Sequence, residues 1–142
     1  HRDLHSFPTR RSSDLAVIMV DTDHFKEYND SYGHPEGDVL LREICKLLKS
    51  YVRGTDIVCR YGGDEFSLIL VEADKKTSIN TAERIRQAIQ LRLNQREVKI
   101  TASIGVACYP EDATNKEELI KKADAALYKA KGGGRNKVCY PD

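Results

Sequence analysis

The feature that most constrains the fold is residues 60–66, which read Arg-Tyr-Gly-Gly-Asp-Glu-Phe and lie between two short runs of strand-forming residues. A Gly-Gly pair in this context predicts a tight β-hairpin, because glycine takes positive φ at both central turn positions without strain. The carboxylates of Asp64 and Glu65 would then lie at the tip of a buried hairpin. Ionised carboxylates there repel each other and lose hydration, so we expect a compensating group, with a divalent cation the natural candidate.

A further carboxylate ends the first predicted strand. Residues 16–21 form an apolar run that ends in Asp21, which is typical of a strand buried on both faces. If this strand lies beside the hairpin, Asp21 and Asp64 can share a metal, and their hard oxygen ligands suit Mg²⁺. The residues after Asp21 begin a helix whose first amides can hold a phosphate, with Lys26 beside them. Taken singly, each motif also fits a simpler structure, namely a solvated carboxylate or an acidic surface turn.

The first 15 residues differ from the rest of the chain. They show neither helical nor strand periodicity, and they can be back-translated codon by codon into a string that resembles a common short-read sequencing adapter. We therefore interpret residues 1–15 as an artefact of cloning or assembly and expect them to be irregular and poorly packed. The single predicted domain then comprises residues 16–142.

Composition narrows the class of protein. The 142 residues are 40% hydrophobic, which suffices for one globular domain with a core. Without residues 1–15 the acidic and basic side chains are equal in number, so the chain lacks the basic excess of a nucleic-acid-binding surface. No apolar run has the length of a membrane span. The four cysteines are widely spaced, as in a reduced cytoplasmic protein.

Periodicity predicts the element order β-α-α-β-β-α-β-α-β. This is an α+β sandwich of ferredoxin-like type, with helices against a mainly antiparallel sheet, an architecture shared by nucleotide cyclases and polymerase palm domains. Residues 98–108 show the clearest period-two alternation. The other predicted strands are residues 16–21, 57–59, 67–71 and 138–140. The first predicted helix comprises residues 23–32, the second begins at Pro35, the third begins at Thr77 or Ser78, and the fourth runs from Asn115 to Gly132. Val39 belongs to the apolar stripe of the second helix, and Ile120 to that of the fourth.

Two motifs together resemble the signatures of the GGDEF family, the diguanylate cyclases. One is residues 60–66, and the other is the pattern Asp21-x-Asp23-x-Phe25-Lys26-x-x-Asn29-Asp30-x-x-Gly33-His34-x-x-Gly37-Asp38. Residues 123–136 match a third family segment. The resemblance covers residues 16–138. It implies that two GTP molecules condense into cyclic di-GMP, with release of two pyrophosphates, in a homodimer. The family's N-terminal D-x-L-T-x-L-x-N-R segment is replaced by the adapter-like residues, so we expect an N-terminally truncated domain.

The resemblance also implies roles for individual residues. Asp21 and Asp64, with the carbonyl of Thr22, would bind two Mg²⁺ ions per site, or Mn²⁺ in their place. Glu65 would assist the metals or deprotonate the attacking hydroxyl. Asn29 and Asp38 would bind the guanine base. The residues implied to bind the rest of GTP are Lys26, the amides near His24 and Phe25, Lys131, Arg135, Gly62 and Gly63.

One further match is regulatory. Arg53-x-x-Asp56 has the spacing of the family's inhibitory product site, so cyclic di-GMP is expected as a feedback inhibitor, although a lone Arg-x-x-Asp is usually a surface ion pair.

Two other functions stay open at this point. A catalytically silent receptor for GTP or cyclic di-GMP would typically lack Asp64, Glu65 or Asn29, and all three are present. A different cyclase or a polymerase-like palm is disfavoured by the guanine-reading pair and by the neutral charge. We expect a cytoplasmic domain, alone or within a larger sensor protein.

Overall fold

A computed structural model of the protein describes residues 13–142. The elements in chain order are β1 (Leu15–Asp23), α1 (Phe25–Tyr32), α2 (His34–Ser50), β2 (Ile57–Tyr61), β3 (Glu65–Val71), α3 (Lys75–Arg92), β4 (Thr101–Tyr109), α4 (Lys116–Gly132) and β5 (Lys137–Cys139). This is the predicted element order, and the α+β class is confirmed. The longest helix, α3, is too polar to span a bilayer, and no other helix within residues 13–142 meets the requirements for a membrane span.

The five strands form one sheet with β1 at its centre. The strand order is β2-β3-β1-β4-β5; all neighbouring pairs are antiparallel except β4 and β5. The sheet is therefore mainly antiparallel, as predicted. Because β1 has a neighbour on each side, its last residues face two strands at once. Asp21 pairs with Glu65 of β3 and with Ser103 of β4.

The two faces of the sheet carry cores of different size. The larger core lies between the sheet and helices α2 and α3, and Ile18, Phe66 and Ile104 are among its fully buried side chains. The smaller core lies under α4 and includes Val17 and Ala107. The alternation at 98–108 therefore separates two buried faces: Ile104 and Val106 face the larger core, and Ala107 belongs to the smaller core under α4.

The closest approach between a helix and the sheet is at Gly105. A Cβ atom there would lie 2.3 Å from the backbone nitrogen of Leu127 and 2.4 Å from the carbonyl oxygen of Ala123. The helix α4 can reach β4 only because this residue has no side chain. Lys131 follows Leu127 by about one helical turn, so the contact at Gly105 also determines where the Lys131 side chain lies.

Several predicted boundaries are wrong, each for a local reason. Helix α1 begins at Phe25 rather than at 23 because β1 continues to Asp23. Helix α3 begins at Lys75 because Asp74, not Thr77 or Ser78, is its N-cap and accepts a hydrogen bond from the Thr77 amide at 2.8 Å. Strand β4 begins only at Thr101.

Two residues placed in apolar stripes are on the surface. Val39 of α2 is 41% exposed and Ile120 of α4 is 40% exposed, while the neighbouring Leu41 and Leu119 are buried. In contrast, the capping motif of α4 is confirmed, because the Asn115 side chain accepts a hydrogen bond from the Glu118 amide at 2.8 Å. Sequence spacing alone therefore does not determine which residues at the margin of an apolar helix face are buried.

The predicted boundary at residue 15 falls inside the fold. Leu15 is the first residue of β1 and pairs with Val71 and Tyr109. Asp14 is buried, and its carbonyl accepts a hydrogen bond from the Glu72 amide at 2.8 Å. These two residues are therefore not poorly packed. Residues 1–12 lie outside the described residues, and the origin of the segment stays a prediction.

We expect Gly105→Ala to destabilise the fold, because the new methyl group would meet backbone atoms that cannot rotate away. Overpacking of this kind costs about 1–3 kcal/mol or more, which thermal unfolding would detect as a lower Tm. Gly132→Ala is the matched control, since a Cβ there has no neighbour within 4 Å. An unchanged Tm for Gly105→Ala would show that α4 does not pack against β4 as described.

Candidate active site

The site lies where β1 ends against the tip of the β2–β3 hairpin. Asp21 is buried and directly faces Glu65 across the strand pair. The Thr22 amide donates a hydrogen bond to the Asp64 carbonyl at 3.2 Å, which fixes the hairpin tip beside the end of β1. The structure thus brings together Asp21, Asp64 and Glu65, residues that sequence analysis had assigned to one site.

The turn itself differs from the prediction. Tyr61 pairs with Glu65, so the loop contains three residues, and only Gly62 has positive φ, at 76°. Arg60 stabilises the loop, because its Nε and Nη2 atoms donate hydrogen bonds of 3.0 and 2.8 Å to the Gly63 carbonyl. Sequence analysis noted the position of Arg60 in the motif but gave it no role.

The hairpin is also less buried than expected. Strand β2 is an edge strand of the sheet, with Ile57 49% exposed and Tyr61 66% exposed, while Val58 packs against the larger core. The prediction of a buried hairpin is therefore wrong for β2 and right for the alternate residues of β3 that face the core.

The carboxylates of the site repel one another. Burial raises the pKa of Asp64, and the nearby Asp21 carboxylate raises it further. The same two causes, in the same order, raise the pKa of Glu65. Negative charge is therefore concentrated at the end of β1, as the two adjacent carboxylates had predicted.

Lys131 of α4 supplies the compensating charge in this structure. Its Nζ atom forms an ion pair with Asp21 Oδ2. Burial opposes the charged form of Lys131, but the carboxylates of Asp21, Glu65 and Asp64 outweigh it and raise the pKa of the lysine. Lys131 therefore stays a cation at neutral pH and partly neutralises the acidic residues.

The donor atoms of the site suit a magnesium ion, although they are not arranged as a finished metal site. Within residues 13–142 no three acidic, thiol or imidazole side chains converge closely enough to hold a metal. However, the carboxylates of Asp21 and Asp64 are hard oxygen donors of the kind that Mg²⁺ prefers. Thr22 Oγ1 is buried and has no hydrogen-bond partner among the described residues. The chemistry of the donors fits the expected ion.

A cavity of about 470 Å³ adjoins the acidic residues. The helix α1 begins at its wall, and His24, with φ of 65°, turns the chain from β1 into this helix. The cavity is therefore lined by carboxylates together with cationic side chains and the first residues of α1, which suits a polyphosphate bound through a cation. The predicted site residues that line it are Asp21, Thr22, His24, Phe25, Lys26, Asp64, Lys131 and Arg135.

The two residues assigned to guanine lie outside this lining. Asn29 is on α1, and its Oδ1 atom is buried with no hydrogen-bond partner in the described part of the chain. A Cβ atom at Gly37 would lie 1.7 Å from that oxygen, so the Asn29 side chain occupies space that any other residue at 37 would fill. Asp38 follows on the exposed surface of α2. A buried acceptor without a donor is poised for a ligand N–H group.

Arg53 and Asp56 are close together, but their surroundings differ. The Asp56 side chain is 3% exposed, and it accepts hydrogen bonds from the backbone amides of Arg53 at 2.8 Å and Val71 at 3.0 Å. The Arg53 side chain is 48% exposed, and its Nη2 atom donates to the Val71 carbonyl. Asp56 thus joins the α2–β2 loop to the end of β3, whereas the guanidinium of Arg53 is open to solvent.

Comparison with known proteins identifies the family. Residues 2–137 match the family model described as "Diguanylate cyclase, GGDEF domain", and the chain therefore belongs to the GGDEF family. The match begins inside the segment interpreted as an artefact.

Individual relatives agree with this assignment. The chain is 39% identical over 127 residues to diguanylate cyclase A of Treponema denticola, a match that covers 87% of this chain and 34% of the relative. The chain thus spans about a third of that relative's length.

Two solved structures show the same fold. The GGDEF domain of YfiN (TpbB) from Pseudomonas aeruginosa has a TM-score of 0.84 at 34% identity, covering 92% of this chain and 83% of that one. The GGDEF domain of DgcB from Caulobacter crescentus, solved in complex with cyclic di-GMP, has a TM-score of 0.80 at 32% identity, covering 89% and 77%.

Because the pKa of Asp64 is raised, we expect Asp64→Asn to raise Tm by an amount that depends on pH. A carboxyl group whose pKa is higher in the folded than in the unfolded state stabilises the fold at pH values below its ordinary pKa of 3.8. This stabilisation is lost as the pH rises through the pKa of the folded state. At pH 7 the ionised Asp64 is therefore destabilising, and the neutral amide should raise Tm. The gain should shrink as the pH falls toward 4.

Thermal unfolding from pH 4 to pH 8 measures this effect, with the exposed Glu97→Gln as the control for loss of one negative charge. A Tm of Asp64→Asn at or below that of the parent at pH 7 would contradict the proposed repulsion.

Proposed function

We propose that this domain is a diguanylate cyclase that condenses two GTP molecules into cyclic di-GMP and releases two pyrophosphates. One observation carries the proposal: Asp21, Asp64 and Glu65 meet at one end of the sheet, beside a cavity lined by Lys131 and Arg135. Membership of the GGDEF family supports the same function. No observation favours a silent receptor.

The metal would be held by Asp21, Asp64 and the carbonyl of Thr22, with two Mg²⁺ ions, or Mn²⁺, per site. When bound, such ions activate a hydroxyl nucleophile and stabilise charge on phosphoryl oxygens. Burial and the nearby Asp21 carboxylate raise the pKa of Glu65 when no metal is bound. Glu65 would assist the metals or accept the proton of the attacking 3′-hydroxyl.

The remaining residues would bind and orient GTP. Lys131, Arg135 and Lys26 line the cavity beside the start of α1 and would bind the triphosphate. The Asn29 oxygen, which has no hydrogen-bond donor within residues 13–142, would accept a hydrogen bond from the guanine edge, and the Asp38 carboxylate would accept another.

A homodimer follows from the reaction. Each domain has one set of these residues, and the product joins two nucleotides, so two domains would bring their sites face to face. The chain spans about a third of a relative's length, and we propose that it acts as a cytoplasmic domain, alone or within a larger sensor protein. The DgcB complex with cyclic di-GMP supports a product-binding role within the family.

Incubation of the purified protein with GTP and Mg²⁺, followed by chromatography for cyclic di-GMP, tests the function. Asp64→Ala and Glu65→Ala should lower the rate by about 100-fold or more, as expected for loss of a metal ligand or a general base. Glu117→Ala, on the exposed surface of α4, is the control and should retain activity. ATP should not replace GTP. Turnover in both site variants equal to that of the parent would contradict the proposal.

Arg53→Ala should relieve product inhibition, because the exposed guanidinium is the part of the Arg53–Asp56 pair that can bind a cyclic di-GMP phosphate or guanine edge. Initial rates should change little, and product should continue to accumulate at late times. Full progress curves, with and without added cyclic di-GMP, measure both effects. Arg42→Ala, an exposed arginine of α2, is the control. Equal slowing of parent and Arg53→Ala would leave the pair as a surface contact only.

A further inference from the structure

Asp23 is the most enclosed carboxylate near the cavity, and none of the functions above uses it. Its side chain is 1% exposed. The Oδ1 atom accepts a hydrogen bond from Ser103 Oγ at 2.8 Å, and Oδ2 accepts from Thr101 Oγ1 at 2.7 Å and from the Asn136 amide at 3.1 Å. Arg135 Nε lies 3.8 Å from Oδ1.

These contacts distinguish Asp23 from Asp21, two residues earlier on the same strand. Both oxygens of Asp23 already accept hydrogen bonds from protein donors, and an arginine compensates its charge. A carboxylate in this state has little remaining capacity to bind a metal ion. What it does bind is the segment after α4, through the Asn136 amide.

That segment has an unusual backbone. Gly134, Arg135 and Asn136 have φ values of 109°, 64° and 47°, three positive values in succession. For residues other than glycine, such conformations are unfavourable and persist only where surrounding contacts hold them. The segment therefore depends on the groups that bind it from outside.

A second contact to this segment, besides that of Asp23, comes from α3. Arg86 Nη1 donates a hydrogen bond to Asn136 Oδ1 at 2.8 Å. The guanidinium is itself fixed by Glu83, at 2.7 Å, and by Gln90, at 3.1 Å. Asn136 is thus held from both sides, by Asp23 at its amide and by Arg86 at its side chain, and Arg86 does not line the cavity.

We propose that Asp23 and Arg86 are positioning residues for the phosphate side of the site: by fixing Asn136 they direct the preceding Arg135 toward the phosphates of a nucleoside triphosphate. The inference rests on the proposed function, because it assumes that Arg135 contacts GTP. It assigns the second aspartate of the Asp-x-Asp pattern to positioning and extends the functional residues to α3.

The test is a double-mutant cycle on the GTP concentration that gives half-maximal cyclase rate. Arg86→Gln alone should raise this concentration about 5-fold, an effect of the size of one lost hydrogen bond. Added to Arg135→Ala, it should have no further effect, because both changes remove the same interaction. Arg84→Gln, on the same helix but in contact with Tyr51 instead, is the matched control and should leave the parent value unchanged.

Asp23→Asn should show the same non-additivity with Arg135→Ala, and if it does not fold, the Arg86 cycle decides the question. Independent effects of Arg86→Gln and Arg135→Ala, or no effect of Arg86→Gln, would overturn the inference. If the parent protein still makes cyclic di-GMP, the proposed function is not affected by that result. A parent that makes no cyclic di-GMP would overturn the proposed function and this inference with it.

Discussion

The ion pair between Lys131 and Asp21 is the interaction on which the site depends. Three carboxylates meet where the central strand ends, and burial together with the nearby Asp21 carboxylate raises the pKa of Asp64 and of Glu65. One ammonium group from α4 offsets this repulsion only in part. The site therefore has surplus negative charge, and the adjoining cavity has cationic groups. Such a site can bind a cation and an anion together, and a magnesium–nucleotide complex contains both.

The fold supplies this arrangement through two contacts that lie away from the chemistry. Because β1 is the central strand, Asp21 faces Glu65 of the hairpin, and the Thr22 amide binds the hairpin tip. Because Gly105 has no side chain, α4 lies close to β4, and Lys131 reaches Asp21. Elements far apart in sequence are thereby placed at one end of the sheet.

Sequence patterns predicted the features that depend on residues close together in the chain. The element order and the Asn115 cap both follow from short patterns. The meeting of Asp21 with the hairpin tip was expected only if β1 lies beside the hairpin, and the strand order meets that condition. The exposure of β2 was missed because it depends on strand order, which no short pattern contains. The burial of both faces of β4 was not predicted, because it depends on the packing of α4 against the sheet.

The contacts missed at the site have the same origin. The ion pair of Lys131 joins residues 110 positions apart, and the partners of Asp23 come from β4 and the segment after α4. In the Asp-x-Asp pattern the two residues look equivalent. Only their surroundings show that Asp21 lies beside two further carboxylates and Lys131, whereas both oxygens of Asp23 accept hydrogen bonds from the protein.

The most direct test of this account is the effect of Mg²⁺ on Tm at pH 7 in the presence of a non-hydrolysable GTP analogue. Binding of a cation between Asp21 and Asp64 would stabilise the folded state, so Mg²⁺ should raise the Tm of the parent and have little effect on Asp64→Asn. A parent Tm that does not respond to Mg²⁺, or an equal rise in Asp64→Asn, would contradict the claim that these carboxylates form the metal site.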